Sequence, residues 1–247
     1  ARRIRVAARD AGLRPPAWLG TETVARLLGL RANHPFGQDA LERGVNDPAS
    51  RAETAYSLAR LVDLDPSTTG RIAERAGSFS LPSLDDAQRA VLTRALQFVG
   101  TPYVWAGVSE RPQPQWTADG ATQLTVPGGF DCSGFVWRVY KLRPLPGAPA
   151  ALATTLRGRT SYAMSGEVPV DRRVGAAALA PGDVVFFGDR GPRSKPRQVG
   201  HMGIYVGNGW IVHSSRAGTT LQPLEGWYAD TLAWGRRPLA EAAAIVS

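Results

Sequence analysis

The apolar positions of this chain fall into two regimes. Up to about residue 84 they come as short amphipathic clusters that repeat. Ala8-Arg9-Asp10-Ala11-Gly12-Leu13 is echoed by Ala40-Leu41-Glu42-Arg43-Gly44-Val45, and Ala25-Arg26-Leu27-Leu28-Gly29-Leu30 by Ala59-Arg60-Leu61-Val62-Asp63-Leu64. The offsets are 32 and 34 residues, which predicts one helix–loop–helix unit occurring twice. Further on, Phe135-Val136-Trp137-Arg138-Val139-Tyr140-Lys141 meets no breaker before Pro144 and reads as a buried helix. The stretch from Val199 to Ser215 reads as two β-rich segments joined by Gly207-Asn208-Gly209, a strong hairpin signal.

Candidate chemistry sits at the ends of these elements. The single cysteine, Cys132, lies in Phe130-Asp131-Cys132-Ser133-Gly134, a polar turn that opens the predicted helix, and Asp131 and Ser133 are N-cap residue types. Unpaired N–H groups and the positive end of the helix dipole favour a thiolate at such a position, and a lowered pKa makes a cysteine nucleophilic. A lone cysteine is equally well a small core residue. Two of the three histidines change that balance, because the hairpin brings His201 and His213 side by side. In a Cys/His mechanism one imidazole takes the thiol proton and returns it to the leaving amine, while a further polar group fixes its tautomer. His201 is the candidate base and His213 the candidate orienting group. One thiol and two imidazoles could also ligate zinc, but their spacing matches no zinc pattern. The reading calls for no metal or cofactor.

From about Asp85 to Pro238 the chain resembles the NlpC/P60 cysteine peptidases of bacterial cell walls. Gly100-Thr101-Pro102-Tyr103-Val104-Trp105-Ala106-Gly107 is similar to the family's Gly-x-Pro-Tyr-x-Trp-Gly-Gly segment, with Ala106 in place of a glycine. Phe130 to Val136 resembles the nucleophile motif, Leu179 to Phe187 the strand-entry motif, Gly200 to Gly207 the histidine strand, and Trp234 to Pro238 the closing element. The resemblance implies a papain-like α+β domain over residues 85–247, its cysteine on a helix packed against an antiparallel sheet, preceded by a small all-α domain over residues 1–84. It implies a thiol protease that hydrolyses peptidoglycan stem peptides, most often between D-γ-glutamate and the next diamino acid. Cys132 would attack, His201 would act as base and then acid, and the Cys132 N–H would be an oxyanion donor. Tyr103, Asp131 and Ser133 would line the site for the amino end of the stem peptide. Helix capping alone accounts equally well for Asp131 and Ser133, and a packed aromatic for Tyr103.

Two stretches depart from the family pattern. Val108 to Gly129 is long and rich in proline, and its composition predicts a loop at the rim of the cleft; Gly188 to Gln198 is a basic loop leading into His201. Both are expected to border the substrate groove or to be plain solvated loops. In the N-terminal region, Asn46-Asp47-Pro48-Ala49-Ser50-Arg51-Ala52-Glu53-Thr54-Ala55 resembles the Thr-Arg-Ala-Glu motif of S-layer homology units. That resemblance implies anchoring to wall polysaccharide; a helical domain that packs on the peptidase and shapes its groove is the other reading.

The net charge of +8 comes almost wholly from arginine, with lysine only at Lys141 and Lys195. No recognised nucleic-acid-binding signature accompanies it, so anionic wall polymers are the expected partner, unless the arginine reflects genome composition. No apolar run reaches the roughly 20 residues of a membrane span. The chain begins without methionine or a signal peptide and is expected to be a trimmed form of a secreted, wall-associated protein. A wall-binding protein with an inactive or closed papain-like domain is the rival from another class.

Overall fold

The computed structural model describes residues 1–31, 43–117 and 119–246. The first helices are α1 (Arg2–Asp10), α2 (Leu19–Leu27), α3 (Arg51–Val62) and α4 (Pro66–Ser78). In α1 the buried residues are Ile4 and Ala8, four positions apart on one face. α3 begins with a capping box, in which the Ser50 hydroxyl accepts the Glu53 N–H and the Glu53 carboxylate accepts the Ser50 N–H. That reciprocal pair accounts locally for Ser50-Arg51-Ala52-Glu53. The first predicted helix–loop–helix unit corresponds to α1 and α2. In the second, Ala40 to Glu42 lie outside the described residues, and Ala59 to Leu64 form the end of α3 and the turn after it. The repeat did not foresee α4, which starts on an Asp65 cap with proline at its first position.

The next helix, α5 (Asp86–Gln97), opens with a second capping box between Asp85 and Gln88 and buries Val91, Leu92, Ala95 and Leu96. Then come β1 (Val108–Ser109), β2 (Gln113–Trp116), β3 (Gln123–Val126) and β4 (Gly129–Phe130). The stretch read as a loop is therefore largely a hairpin of β2 on β3, with β1 paired to β4. Its prolines concealed it: Pro114 sits exposed in a two-stranded ribbon, where a missing N–H costs little. Gln113 is buried and its amide donates to the carbonyl of Gly129 at 3.0 Å, tying the hairpin to the chain just before the cysteine.

After α6 (Cys132–Lys141), α7 (Leu152–Thr155) and α8 (Ser161–Gly166), the main sheet forms from β5 (Val184–Gly188), β6 (Val199–Gly207), β7 (Trp210–Ser215), β8 (Gly218–Pro223) and β9 (Leu232–Arg236). Its order is β8-β7-β6-β5-β9, with every pairing antiparallel. The β6–β7 turn has Asn208 at φ +48° and Gly209 at φ +76°, the two positive angles of a type I′ hairpin. α9 (Trp227–Thr231) precedes β9, and α10 (Pro238–Val246) follows it. The basic stretch before β6 holds two short 3₁₀ turns, 191–193 and 196–198.

One face of the sheet, through Phe186, Met202, Ile204 and Val212, packs on Leu92 and Leu96 of α5 and Phe135 and Val139 of α6. Ile4, Ala8, Leu19 and Phe79 belong to the same buried cluster, and the Phe79 ring stands edge-on to Trp210 at 5.0 Å. Trp18 Nε1 donates to the carbonyl of Val99 at 2.9 Å, so the N-terminal helices are hydrogen-bonded to the segment that enters the Gly100 motif. Val185, Phe187, Ile211 and Leu232 form a smaller cluster on the opposite face, with Tyr228 packed against it. Because Leu19 is fully buried in the shared core, Leu19→Ala is expected to cost about 2–5 kcal/mol. Urea unfolding checks this: one transition should move as a whole, whereas two transitions with only the first displaced would mean the N-terminal helices fold apart from the sheet.

Candidate active site

Cys132 is half-buried and is the first residue of α6. Asp131 caps the helix, its carboxylate accepting the Gly134 N–H and, at 2.9 Å, the Ser133 hydroxyl. The helix start is pressed against the preceding motif. A Cβ on Gly134 would lie 1.9 Å from the Gly107 carbonyl oxygen, which leaves no residue but glycine. That carbonyl also accepts the Asp131 N–H at 3.2 Å, and the Phe130 N–H donates to Pro102 at 3.0 Å. Tyr103 is half-buried and bridges to Phe130 along the backbone, two places from Cys132. Asp131, Ser133 and Tyr103 thus gather at one end of α6. Ala106 adopts φ +58°, the left-handed region where the family pattern has glycine.

His201 and His213 come from adjacent strands. A Cβ on Gly203 would lie 2.8 Å from the Cβ of His213, so a glycine there lets β7 cross close to β6. His201 Nε2 and His213 Nδ1 are 2.9 Å apart, with the rings nearly perpendicular. Phe187, Trp227 and Tyr228 surround the pair, their ring centres 5.6, 6.3 and 5.9 Å from His201. Ser214, next to His213, donates its hydroxyl to the Phe130 carbonyl at 2.8 Å, which joins β7 to the residues just before Cys132. From the other side the Met202 N–H, one residue past His201, is directed at the Cys132 sulfur. The fold therefore brings the two imidazoles together and sets Cys132 against the β6 backbone one residue past His201.

The electrostatics correct one expectation. The thiol is pushed up to about 12 by burial and then by the Asp131 charge; the N–H groups of Met202 and Ser133 and the Arg159 charge pull the other way and do not win. Position at a helix start is thus outweighed by desolvation. Burial, reinforced by His213, holds His201 well below the usual imidazole range, and burial brings His213 to about 4. At neutral pH the group is a thiol beside two neutral imidazoles. His213 Nε2 is buried without a hydrogen bond of ordinary geometry, although the Gln222 side chain is near enough to favour the protonated ring.

Arg159 is the residue that sequence reasoning missed. Its guanidinium donates to both carboxylate oxygens of Asp131 at 3.2 Å, to Ser133 Oγ at 2.8 Å and to the Ala106 carbonyl at 3.0 Å. One arginine in a turn-rich stretch of an arginine-rich chain carries no signal of such a position. Among the described residues no group of three or more His, Cys, Asp or Glu side chains is placed to hold a metal ion.

Residues 100–237, more than half the chain, match the NlpC/P60 family. The chain belongs to the NlpC/P60 family. Murein DD-endopeptidase MepH of Escherichia coli K12 is 29% identical over 136 residues, which is 55% of this chain and 39% of that protein. A gamma-D-glutamyl-L-lysine dipeptidyl-peptidase of Bacillus cereus is 31% identical over 162 residues, 64% of this chain and 37% of that protein. The crystal structure of an NlpC/P60 family protein from Bacillus cereus covers 64% of this chain and 41% of its own, with 28% identity and a TM-score of 0.45. The chain thus spans well under half the length of these curated relatives.

Two outcomes follow from the site. Ala106→Gly is expected to stabilise the protein by about 0.5 kcal/mol, since left-handed strain of about 1–2 kcal/mol is relieved and about 0.4–1 kcal/mol of unfolded-chain entropy is added; denaturant midpoints measure it. For His213 the folded pKa lies below the unfolded one, so the unfolded state binds more protons and stability falls as pH drops through 6.5 towards 4. The full loss is on the order of 3 kcal/mol. His213→Asn should reduce the slope of unfolding free energy against pH over that window, the remainder coming from His201, and an unchanged slope would count against a neutral buried His213.

Proposed function

We propose that this chain is a cysteine endopeptidase of the bacterial cell wall that cuts the bond between D-γ-glutamate and the diamino acid in peptidoglycan stem peptides. The observation that carries this reading is the His201–His213 contact of 2.9 Å beside a thiol at the start of α6, within a chain of the NlpC/P60 family. The gamma-D-glutamyl-L-lysine dipeptidyl-peptidase relative supports the choice of bond, while the murein DD-endopeptidase relative supports only action on wall peptides. Action on the wall places the protein outside the membrane; no helix among the described residues is long and apolar enough to cross one.

The resting protonation states shape the mechanism. With the thiol pushed up to about 12, little thiolate is present near neutrality, so attack has to be coupled to proton removal. His201 Nε2 is engaged by His213, which leaves Nδ1 to take the thiol proton. In that tautomer His201 Nε2–H donates to His213 Nδ1, and His213 steadies the imidazolium as it forms. Cys132 Sγ attacks the γ-glutamyl carbonyl, the tetrahedral oxyanion meets the Cys132 N–H at the helix start, and His201 protonates the leaving amine. Water then releases the acyl group by the same exchange. The rings of Phe187, Trp227 and Tyr228 limit water around the imidazoles and keep the base neutral, hence able to accept a proton. Asp131, Ser133 and Tyr103 line the subsite for the amino side of the stem peptide.

The N-terminal helices brace the sheet in this reading, and the division of the chain near residue 84 is a boundary of sequence type within a shared core. Support comes from Trp18, whose indole is bonded to the Gly100 segment, and from the Arg26 guanidinium, which lies where a Cβ on Gly218 of β8 would sit. Binding of wall polymer by these helices is the alternative. Co-sedimentation of the full chain with wall glycan stripped of its stem peptides decides between them, with retention favouring the anchor.

Digestion of purified peptidoglycan by the wild type and by Cys132→Ala tests the function. Release of fragments whose masses end at D-γ-glutamate should be abolished, at least 10³-fold, in the variant. Equal release by both proteins removes Cys132 from the chemistry, and no release by either favours a wall-binding protein with a closed site.

A further inference from the structure

The cap of α6 poses a problem of charge. Asp131 is adjacent in sequence to Cys132, and a carboxylate there opposes the negative sulfur that must develop during attack. Residues that could cap this helix without charge are common, since asparagine and serine cap as well as aspartate. The carboxylate is nevertheless 14% exposed and heavily engaged: Oδ1 accepts Gly134 N–H, the Ser133 hydroxyl and Arg159 Nη1, while Oδ2 accepts Arg159 Nη2. A bidentate guanidinium of this kind both fixes the carboxylate and offsets its charge. The same guanidinium reaches Ser133 Oγ and the carbonyl of Ala106, so one residue spans the helix start and the left-handed turn packed on it.

We propose that Arg159 is a positioning residue which, by pairing with the capping Asp131, allows a carboxylate to hold the nucleophile helix without opposing the thiolate that Cys132 must form. The inference rests on the reading of Cys132 as the nucleophile. The charged and titratable groups set against Cys132 are Asp131 on its own helix, Arg159 from the turn before α8, and the His201–His213 pair from β6 and β7. The imidazoles are neutral near pH 7, so Asp131 and Arg159 are the formal charges acting on the sulfur, with opposite signs. Arg159 is 36% exposed, so solvent screens part of its effect, while Asp131 is 14% exposed.

The test is a charge cycle read by alkylation of Cys132 with iodoacetamide across pH 6–10, which requires no peptide substrate. Arg159→Met leaves Asp131 uncompensated and should slow alkylation about tenfold at each pH from 6 to 10, a range that lies below the midpoint of the thiol. Asp131→Asn keeps the cap but removes its charge and should speed alkylation by a comparable factor, because Arg159 then acts unopposed. The double variant should return to within about threefold of the wild type, and Arg159→Lys, which keeps charge but loses the fork, should fall between wild type and Arg159→Met. Thermal unfolding shows that each variant is folded; should Arg159→Met fail to fold, Asp131→Asn and Arg159→Lys carry the test. An Asp131→Asn thiol no more reactive than the wild type overturns the proposal, as does an Arg159→Met defect that Asp131→Asn does not reverse, since a purely structural arginine would give that result. The outcome is separable from that of the peptidoglycan digestion: altered alkylation with no cleavage of wall would sustain the charge pairing and sink the endopeptidase reading.

Discussion

Burying the first turn of a helix is the constraint on which the rest of the structure depends. A thiol set against a sheet needs a helix start in the interior, and a helix start carries N–H groups that nothing inside the helix can accept. Here the Gly134 N–H is met by the Asp131 carboxylate and the Asp131 N–H by the Gly107 carbonyl, whose close approach only Gly134 permits. The 100–107 segment is shaped by that requirement, down to the left-handed angle at Ala106. Arg159 then closes the cluster from a distant part of the chain, tying the cap to the turn.

The sheet answers with a constraint of its own. Two imidazoles can meet at 2.9 Å across neighbouring strands only where the strands cross closely, and Gly203 supplies the room beside the His213 Cβ. The price is desolvation, which holds both rings neutral. The same burial leaves the imidazoles able to act as bases in the proposed mechanism, because a neutral imidazole is a base and a protonated one is not. Burial therefore raises the thiol and lowers the histidines together, and keeps the proton on sulfur. The shared core with the N-terminal helices keeps this arrangement rigid from behind, through Phe79 on Trp210 and Trp18 on Val99.

Much of this was legible in the chain. The α6 helix with a cap at Asp131 and the Gly207-Asn208-Gly209 turn follow from local rules, and the structure has them where the pattern predicts. The Val108–Gly129 stretch was misread because proline content speaks about composition, whereas pairing in a two-stranded ribbon depends on which prolines face outward. The repeat in the first 84 residues marked helices but missed α4, since an offset between similar clusters says nothing of an element with no counterpart.

What the sequence determined by itself was identity and order: a capped cysteine, two histidines on a hairpin, and the motifs that place the chain in the NlpC/P60 family. These are properties of residues near one another along the chain. The tertiary structure decided the protonation states and the partners. Whether a helix dipole or desolvation governs Cys132 depends on how much protein surrounds the sulfur, and that is set by packing of α6 on the sheet. Which arginine among many pairs with Asp131 depends on where the turn before α8 comes to lie. Both are long-range facts, because electric fields and burial act through space and not along the backbone.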